Sequence, residues 1–251
     1  MSFTVVIHTF NEAKNIKEAI ESAKILTDDI VVIDMHSSDK TVDLAKHLGA
    51  KVKFFKFSYY VEPARNYGIA SAGGDWVFIL DADERITKQL ADEIKTRVGK
   101  EEFTHYRVPR KNLFLKKHFL RYGGWWPDYQ LRLIEKKSFV NWPARIHATP
   151  EIKGKVGFLK QPIIHYFHQD FKSMVEKTAL YENIEADLLY KHKRSVSVLI
   201  FLRKFLGELY RRLIKHKGYK DGVWGGLEAF YQAYSKTITW LYLYQKYEKN
   251  S

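Results

Sequence analysis

The 251-residue chain has no cysteine, so neither a disulfide framework nor a thiolate metal site can form. It has no run of roughly 18 apolar residues, the length that a membrane-spanning helix needs. Its first residues lead directly into a predicted strand, so we expect no signal peptide. The phosphate-binding patterns GxGxxG and GxxxxGK are absent as well. We therefore expect a cytoplasmic protein, soluble or peripheral on the inner face of the cytoplasmic membrane.

The composition is that of a folded basic protein. Hydrophobic residues make up 45% of the chain and aromatic residues 15%, which is not the composition of a disordered segment. The formal net charge of +13 points to an anionic partner, which could be a nucleic acid, a membrane surface or a phosphorylated substrate. Residues 191–220 contain ten Lys and Arg and one acid, Glu208, so that this segment holds +9 of the +13.

Apolar strands alternate with helical patterns over the first 98 residues. The strands are predicted at 3–9, 30–34, 51–57 and 76–80, and helices follow Asn11, Ser37 or Ser38, Pro63 and Thr87. This alternation predicts right-handed βαβ units, and hence an α/β fold with a doubly wound, mostly parallel sheet. Two later strands are predicted at 106–115 and 131–134, and helices at 174–190, 196–214 and 225–247.

Polar side chains follow the predicted strands where ligands bind in open α/β sheets. The stretch Trp76–Glu84 is an apolar strand that ends in Asp81 and Asp83, and carboxylate oxygens are the ligands that hard cations prefer. Asp34 ends the second strand, where a carboxylate can accept from a ribose hydroxyl or a base N–H. Arg65 can pair bidentately with phosphate. A structural alternative for the aspartates is an acidic turn before a helix that Thr87 caps.

A second polar loop, Thr9–Glu12, connects the first strand to a helix. Backbone N–H groups at such a helix N-terminus suit a nucleotide. The alternative interpretation is a helix that is simply N-capped by Thr9 or Asn11.

Three motifs together resemble a known family. TFNE, VIDMHSSDKT and ARNYGIASAGGDWVFILDADE, in that order and spacing, are similar to family 2 of the inverting glycosyltransferases, enzymes of the nucleotide-diphospho-sugar transferase (GT-A) fold. The later motifs GGWWPDYQLRL, RIH and IHY resemble the branch that adds glucose to the inner core of lipopolysaccharide. The resemblance implies a GT-A domain over residues 1–170, with a donor-binding half 1–100 and an acceptor-binding half 101–170. It leaves 171–251 as a basic, amphipathic, membrane-facing helical extension.

The resemblance also implies roles for single residues. Donor binding would fall to Thr9, Asn11, Glu12, Asp34, Arg65, Asp81 and Asp83. Mn²⁺ or Mg²⁺ on the diphosphate would be held by Asp83, with Asp81 and His147 as further ligands. Asp128 would be the general base, and Trp125, Trp126 and Arg132 would bind the acceptor. Ala148 stands where a Glu is usual in the branch, and Met35-His36 and Lys40 also depart from it.

Simple chemistry is consistent with these roles. Inverting transfer needs a carboxylate within hydrogen-bond reach of the attacking hydroxyl, and a cation to absorb the charge of the leaving diphosphate. Partial desolvation among Trp125, Trp126 and Tyr129 would raise the proton affinity of Asp128. Core packing is the alternative role of the tryptophans, and we expect it to apply to one of them. His8 and His165 are interpreted as structural.

The predicted function is therefore metal-dependent transfer of a sugar from a nucleotide-diphosphate sugar to a lipid-linked acceptor such as the lipopolysaccharide inner core. The branch resemblance implies glucose as the sugar and the family resemblance implies uridine as the base, with guanosine as the alternative base. A polyprenyl phosphate acceptor is the alternative within the same chemistry. The predicted helix 196–214 has a wide apolar stripe beside many cations, which favours an anionic membrane surface as partner. A basic nucleic-acid-binding protein and a non-catalytic scaffold are alternatives of other classes; strand ends rich in aspartate argue against nucleic acid.

Overall fold

A computed structural model of the chain describes residues 1–99, 102–145, 148–168 and 170–249. The chain forms two compact units. Unit 1 consists of Met1–Arg110 and Tyr129–His165, and unit 2 of Lys111–Asp128 and Tyr166–Ser251. Lys111–Asp128 thus groups with the C-terminal helices, whereas the sequence led us to expect residues 101–170 in one half of the first domain.

The described residues form twelve strands and seven α-helices. The strands are β1 (Phe3–Thr9), β2 (Ile30–Asp34), β3 (Lys51–Phe54), β4 (Trp76–Asp81), β5 (Glu84–Arg85), β6 (Phe103–Phe114), β7 (His118–Phe119), β8 (Asp128–Glu135), β9 (Phe139–Asn141), β10 (Glu151–Ile152), β11 (Lys155–Phe158) and β12 (Ile163–His165). The helices are α1 (Ile16–Ala23), α2 (Thr41–His47), α3 (Glu62–Ser71), α4 (Lys88–Arg97), α5 (Phe171–Lys191), α6 (Val198–Leu209) and α7 (Gly222–Lys249).

The centre of unit 1 is a mixed sheet whose order is β3-β2-β1-β4-β8-β6-β12-β5. Neighbours among β3, β2, β1 and β4 run parallel, and β8 joins β4 antiparallel. Every residue of β2 is buried, as are all but the first of β1 and all but the last of β4. Continuous apolar runs of this kind belong to strands that are covered on both faces. The predicted α/β fold class is confirmed.

Most predicted elements are present, with corrections at their ends. The apolar face of α1 is buried as predicted, but its N-cap is Asn15 and carries no side-chain cap, so the capping alternative for Thr9 and Asn11 was wrong. Helix α2 likewise begins after Lys40 rather than after a serine cap. Thr87 does cap α4, where its side chain accepts from the backbone N–H of Leu90.

The strand β5 is a feature that the sequence did not reveal. It has only two residues and pairs antiparallel with β12, which places His165 opposite Glu84 and Ile164 opposite Arg85. Two charged residues give no alternating apolar pattern, so their extended conformation depends on the partner strand. The pairing matters because it brings His165, which is 84 positions after Asp81 in the sequence, close to the end of β4.

Unit 2 consists mainly of helices. Its apolar cluster includes Phe114, Phe167, Met174 and Tyr231. Helices α5 and α7 are joined by polar contacts as well, because Glu182 accepts a hydrogen bond from the Ser235 hydroxyl at 2.6 Å. The predicted helix 196–214 is interrupted: α6 ends at Leu209 and the chain continues as a wider π-helical turn. Within the residues described above, no helix is both long and apolar enough to cross a bilayer.

The start of β1 lies directly against Gly74, and this contact gives a stability prediction. A Cβ at Gly74 would lie 2.8 Å from the carbonyl carbon of Phe3 and 2.9 Å from the amide nitrogen of Thr4, so backbone must move. We expect Gly74→Ala to lower the free energy of unfolding by about 1–3 kcal/mol, the usual cost of overpacking. Urea denaturation at constant pH measures it.

Gly226 in α7 is the matched control, since a Cβ there meets nothing within 4 Å. Gly226→Ala should leave stability unchanged or raise it by up to about 1 kcal/mol, through helix propensity. Equal effects of the two substitutions would contradict the packing argument.

Candidate active site

The carboxyl ends of β1, β2 and β4 lie side by side at one edge of the sheet. Thr9 is the register partner of Asp34, and His8 is the register partner of Asp81. The polar residues that were separated in the sequence therefore meet at the edge where parallel sheets bind ligands. The predicted parallel pairing is observed for these strands, and the order β2-β1-β4, which the sequence did not predict, brings the loops together.

The loops after β1 and β2 are tied to each other by hydrogen bonds. Asp34 is fully buried, and its two oxygens accept from the Ser37 backbone N–H at 2.8 Å and the Ser37 hydroxyl at 2.6 Å. Asn11 donates its backbone N–H to the Ser37 hydroxyl, and its side-chain oxygen accepts from the Ser38 N–H. Asn11 has a left-handed φ of 53°, which asparagine tolerates better than most residues. The two loops therefore hold each other in a fixed conformation, with their backbone N–H groups ordered by these hydrogen bonds.

Thr9 and Glu12 complete this part of the edge. The Thr9 hydroxyl is buried and has no hydrogen-bond partner among the described residues. A buried hydroxyl without a partner costs about 1–3 kcal/mol, so the position favours a ligand group that would complete the bond. The Glu12 backbone N–H donates to the Thr41 hydroxyl, and its carboxylate accepts from the Asn15 side chain at 2.6 Å.

Asp81 lies between two buried arginines. One carboxylate oxygen accepts from Arg65 Nη2 at 2.9 Å, and the other accepts from Arg132 Nη2 at 2.5 Å. Although burial opposes ionisation, the two guanidinium groups hold the pKa of Asp81 well below its usual value. Asp81 is therefore ionised at any physiological pH, and its orientation is fixed from both sides.

Glu84 is the second carboxylate of this network. It is fully buried and pairs with Arg132 at 2.6 Å, while Arg110 Nη1 lies 3.7 Å away. Its other oxygen accepts from the Asp81 backbone N–H at 3.1 Å. A buried ion must be paired and hydrogen-bonded to be tolerated, and here both conditions are met. Glu84 thus anchors the turn that carries Asp83.

His8 adjoins the same arginine. Arg65 Nη1 lies 3.1 Å from His8 Nδ1, and the carbonyl of Ala64 lies 3.3 Å from His8 Nε2. Arginine only donates, so Nδ1 must accept, which assigns the ring proton to Nε2. Burial, together with the Arg65 charge, lowers the pKa of His8 to about 3. The histidine is a neutral hydrogen-bond acceptor for Arg65, in agreement with its structural interpretation.

Asp83 lies at the end of the turn after β4 and faces His165. The distance between Asp83 Oδ2 and His165 Nε2 is 3.6 Å, and both side chains are largely buried. A carboxylate and an imidazole at this separation can both ligate a divalent transition ion. No group of three or more His, Asp or Glu that could hold a metal occurs in the described part of the chain. The third predicted ligand, His147, lies outside the described residues.

The remaining predicted residues, Asp128, Trp125 and Trp126, belong to unit 2. The Asp128 carboxylate accepts from the side-chain amide of Asn112 at 3.1 Å, and the same amide donates to the Trp125 carbonyl at 3.1 Å. Trp125 packs against Phe167 with ring centroids 4.7 Å apart, whereas Trp126 is 37% exposed. The expectation that one tryptophan is a packing residue fits Trp125.

Five residues at or beside the predicted site residues had no predicted role at a reacting site. They are His8, Glu84, Arg110, Asn112 and His165, of which the two histidines were interpreted as structural. A signal existed for Glu84, which directly follows the aspartate pair. Arg132 was expected at the acceptor, but it is only 5% exposed and bridges Asp81 and Glu84. Arginines on strands give no clue to their partners when those are about 50 positions away in sequence.

The model of Glycosyl transferase family 2 matches residues 4–149 of this chain. The match covers more than half of the 251 residues, so the chain belongs to glycosyl transferase family 2. An uncharacterized glycosyltransferase of Rickettsia conorii is 25% identical over 245 residues, 92% of this chain and 86% of that protein. Another from Rickettsia typhi is 29% identical over 210 residues, 76% of this chain and 69% of that protein.

Among solved structures, the crystal structure of residues 1–349 of S. aureus TarS in complex with UDP is similar to this chain, with a TM-score of 0.50 and 13% identity. The similarity covers 100% of this chain and 92% of that chain. This likeness extends to the fold, and it agrees with the GT-A class that the motifs predicted.

The buried neutral His8 predicts how stability depends on pH. Between about pH 6.5 and about pH 3 the unfolded chain binds a proton at His8 that the folded chain does not, so stability rises with pH across this window. We expect this residue to contribute a slope of up to about 1.4 kcal/mol per pH unit between pH 4.5 and 6. His8→Gln should reduce the slope by up to one proton in urea denaturation at several pH values.

His47 on α2 is exposed and serves as the control position. His47→Gln should leave the slope unchanged. If both variants keep the full slope, His8 is not the group that titrates.

Proposed function

We propose that the protein transfers a sugar from a UDP-sugar to a lipid-linked acceptor by a single inverting displacement. The observation that carries this proposal is the ordered carboxyl edge of unit 1: Asp81 fixed by two arginines, and Asp83 facing His165 in the next turn. Family membership supports the transferase class. The similar TarS structure binds UDP, which supports a uridine donor.

The residues at the edge suit the donor. The unpartnered Thr9 hydroxyl and the ordered loops at Asn11 and Asp34 would receive the base and ribose, and Asp81 would accept from a ribose hydroxyl with its remaining lone pairs. Arg65 is only 4% exposed and already binds Asp81 and His8. We therefore assign Arg65 to positioning Asp81, in addition to its predicted contact with the base or diphosphate.

The donor set also fits a divalent ion. Asp83 and His165 offer one carboxylate and one imidazole, and ions such as Mg²⁺ in sugar-nucleotide sites are usually completed by phosphate oxygens and water. We propose that Asp83 and His165 would hold Mn²⁺ or Mg²⁺ together with the diphosphate, with Asp81 and His147 as the further predicted ligands. When bound, the ion neutralises the charge that develops on the leaving diphosphate.

The proposed transfer needs one proton acceptor. The acceptor hydroxyl oxygen attacks the anomeric carbon while the bond from that carbon to the diphosphate oxygen breaks and its electron pair leaves with UDP. Asp128 would take the hydroxyl proton. The Asn112 side-chain amide donates a hydrogen bond to the Asp128 carboxylate at 3.1 Å, which holds that carboxylate in a fixed position.

The acceptor and the sugar rest on the resemblance to the lipopolysaccharide branch. We propose glucose as the sugar, the lipopolysaccharide inner core as the acceptor, and the inner face of the cytoplasmic membrane as the place of action. Polyprenyl phosphate is the alternative acceptor. Radiolabelled transfer from UDP-glucose to each lipid in detergent, followed by separation of the products, distinguishes the two.

Nucleotide binding provides the first test. The melting temperature should rise with UDP or UDP-glucose and Mn²⁺, because a ligand that binds only the folded chain stabilises it by RT ln(1 + [L]/Kd), about 2.7 kcal/mol at a hundred times Kd. Asp83→Ala should lose the Mn²⁺-dependent part of the shift. Asp92→Ala, at an exposed position on α4, is the matched control and should keep it.

A GDP panel run in parallel identifies the base. No shift with any nucleotide, with or without Mn²⁺, would overturn the transferase proposal. A full shift in Asp83→Ala would leave the donor proposal standing and remove Asp83 as metal ligand.

The contact between Asn112 and Asp128 predicts a change in pH profile. Asn112→Asp would place a second carboxylate about 3 Å from Asp128, and two carboxylates at that distance raise the pKa of one of them. The acidic limb of kcat/KM should move to higher pH by about one unit or more. Asn112→Ala should lower kcat without that displacement, and Asp128→Asn should abolish transfer.

Melting temperatures of all three variants provide the folding control, because Asn112 is fully buried. A folded Asn112→Asp variant with an unmoved acidic limb would show that Asp128 is not the titrating base.

A further inference from the structure

Helix α6 has two apolar faces, and one of them faces outward. The inner face packs on α7, where the Phe205 and Phe230 ring centroids are 5.7 Å apart. The outer face carries side chains at spacings of three, four and four residues, which places them on one side of a helix. These outer side chains are Leu199, Leu202, Leu206 and Tyr210, which are 79%, 51%, 58% and 61% exposed. We call these four residues the outer stripe.

No residue of α6 is buried, although much of the helix is apolar. Its packing on α7 therefore leaves apolar side chains exposed. Single exposed apolar residues are normal on a protein surface, but a contiguous exposed stripe marks an interaction surface. The outer stripe is therefore a surface for an apolar partner.

The surroundings of the outer stripe are positively charged. Arg203, Lys204 and Arg211 are exposed on the same helix or the turn after it. The single acid of this segment, Glu208, accepts from Arg211 Nε at 2.9 Å and Arg212 Nε at 2.8 Å, so it is locally neutralised. The partner must therefore combine apolar material with negative charge, as an anionic phospholipid bilayer does. A nucleic acid offers the charge without the apolar layer.

A groove adjoins the N-terminal end of the outer stripe. It has a volume of about 920 Å³, and its lining is mostly apolar and aromatic, with Val198, Phe201, Trp240 and Leu241. One acid, Glu248, also lines it and accepts a hydrogen bond from the Tyr244 hydroxyl. The Lys204 ammonium lies 5.4 Å from the Trp240 ring centroid, so a cation stands beside this apolar space. Val198 lines the groove, and Leu202 of the stripe lies four positions later on the same helix, a spacing that makes the two side chains neighbours.

We propose that unit 2 docks on an anionic phospholipid bilayer through the outer stripe, and that the adjoining groove takes one acyl chain of a phospholipid whose phosphate pairs with Lys204. This inference names the surface that would hold the protein at the membrane that contains the proposed lipid-linked acceptor, and in that respect it rests on the proposed function. Its test uses vesicle binding without sugar transfer, so its failure and the failure of the transferase proposal are distinguishable.

The test is co-sedimentation of the full chain with vesicles of phosphatidylcholine alone and of phosphatidylcholine with phosphatidylglycerol. The wild type should bind the anionic vesicles more tightly, and the preference should fall at high salt. The triple variant Leu199→Ser/Leu202→Ser/Leu206→Ser should bind at least ten-fold more weakly, since each leucine buried in lipid contributes substantially. Arg203→Gln/Lys204→Gln should lose about five-fold per cation on anionic vesicles only.

Helix α5 offers a matched control in the same unit. Val175, Leu180 and Leu188 are 52%, 41% and 37% exposed on a helix that carries four acids and three lysines. The triple variant Val175→Ser/Leu180→Ser/Leu188→Ser should bind vesicles as the wild type does. Equal loss in both triple variants, with unchanged melting temperatures, would overturn the assignment to α6.

The groove is tested with vesicles whose acyl chains carry bromine, a short-range quencher of tryptophan fluorescence. Brominated anionic vesicles should quench part of the emission of bound protein, and Trp240→Phe should remove that part. Quenching that is unchanged in Trp240→Phe would overturn the groove as an acyl-chain site. If the wild type ignores vesicles but self-associates, and the leucine variant abolishes this, the stripe is a contact between two copies and the lipid proposal is wrong.

Discussion

The candidate site depends on buried charge that is compensated almost entirely within the protein. Asp81 ends β4 and Glu84 begins β5, and the desolvation of the fully buried Glu84 would be very costly if it were unpaired. Arg65 and Arg132 supply the compensating charge, with Arg110 further away. An ion pair of this kind is weak evidence for stability but strong evidence for a fixed geometry, because removing one partner leaves a buried charge alone. The requirement that each of these carboxylates be paired with an arginine thus fixes the orientation of the side chains at this edge of the sheet.

The fold was largely predictable from the sequence. The strands β1, β2 and β4 are short apolar runs that end in turn residues, and such runs leave few alternatives once helices alternate with them. The handedness of βαβ units predicted that these strands would run parallel, whereas their order in the sheet, β3-β2-β1-β4, is known only from the structure. What failed was local: the serines after β2 were expected to cap α2, but the Ser37 hydroxyl and N–H both bind Asp34 instead. Serine can serve a helix, a turn or a neighbouring carboxylate, and sequence does not decide between them.

The site was predictable in part. The residues at strand ends could be placed at one edge, because each is tied to a strand whose position was predictable. The partners of Asp81 could not be predicted. Arg132 is 51 positions away in sequence and lies on β8, which pairs antiparallel with β4 and is outside the alternating pattern of strands and helices. His165 lies beside the turn because β12 pairs with the two-residue strand β5. Asn112, which donates a hydrogen bond to Asp128, lies in the 12-residue strand β6. Such contacts form only when distant segments of the chain pair in the folded protein, and they leave no local pattern in the sequence.

The exposed leucines of α6 also determine how the solubility of the purified protein depends on salt concentration. Copies of the chain carry a large like charge, and mutual repulsion keeps them apart while the salt is dilute. At about 1 M salt the screening length falls to about 3 Å, so the repulsion disappears while the apolar stripe remains in water. The protein should therefore be most soluble in dilute buffer and should precipitate as salt rises, unless a detergent covers the helix. For a strongly basic protein this reverses the usual advice to purify in high salt.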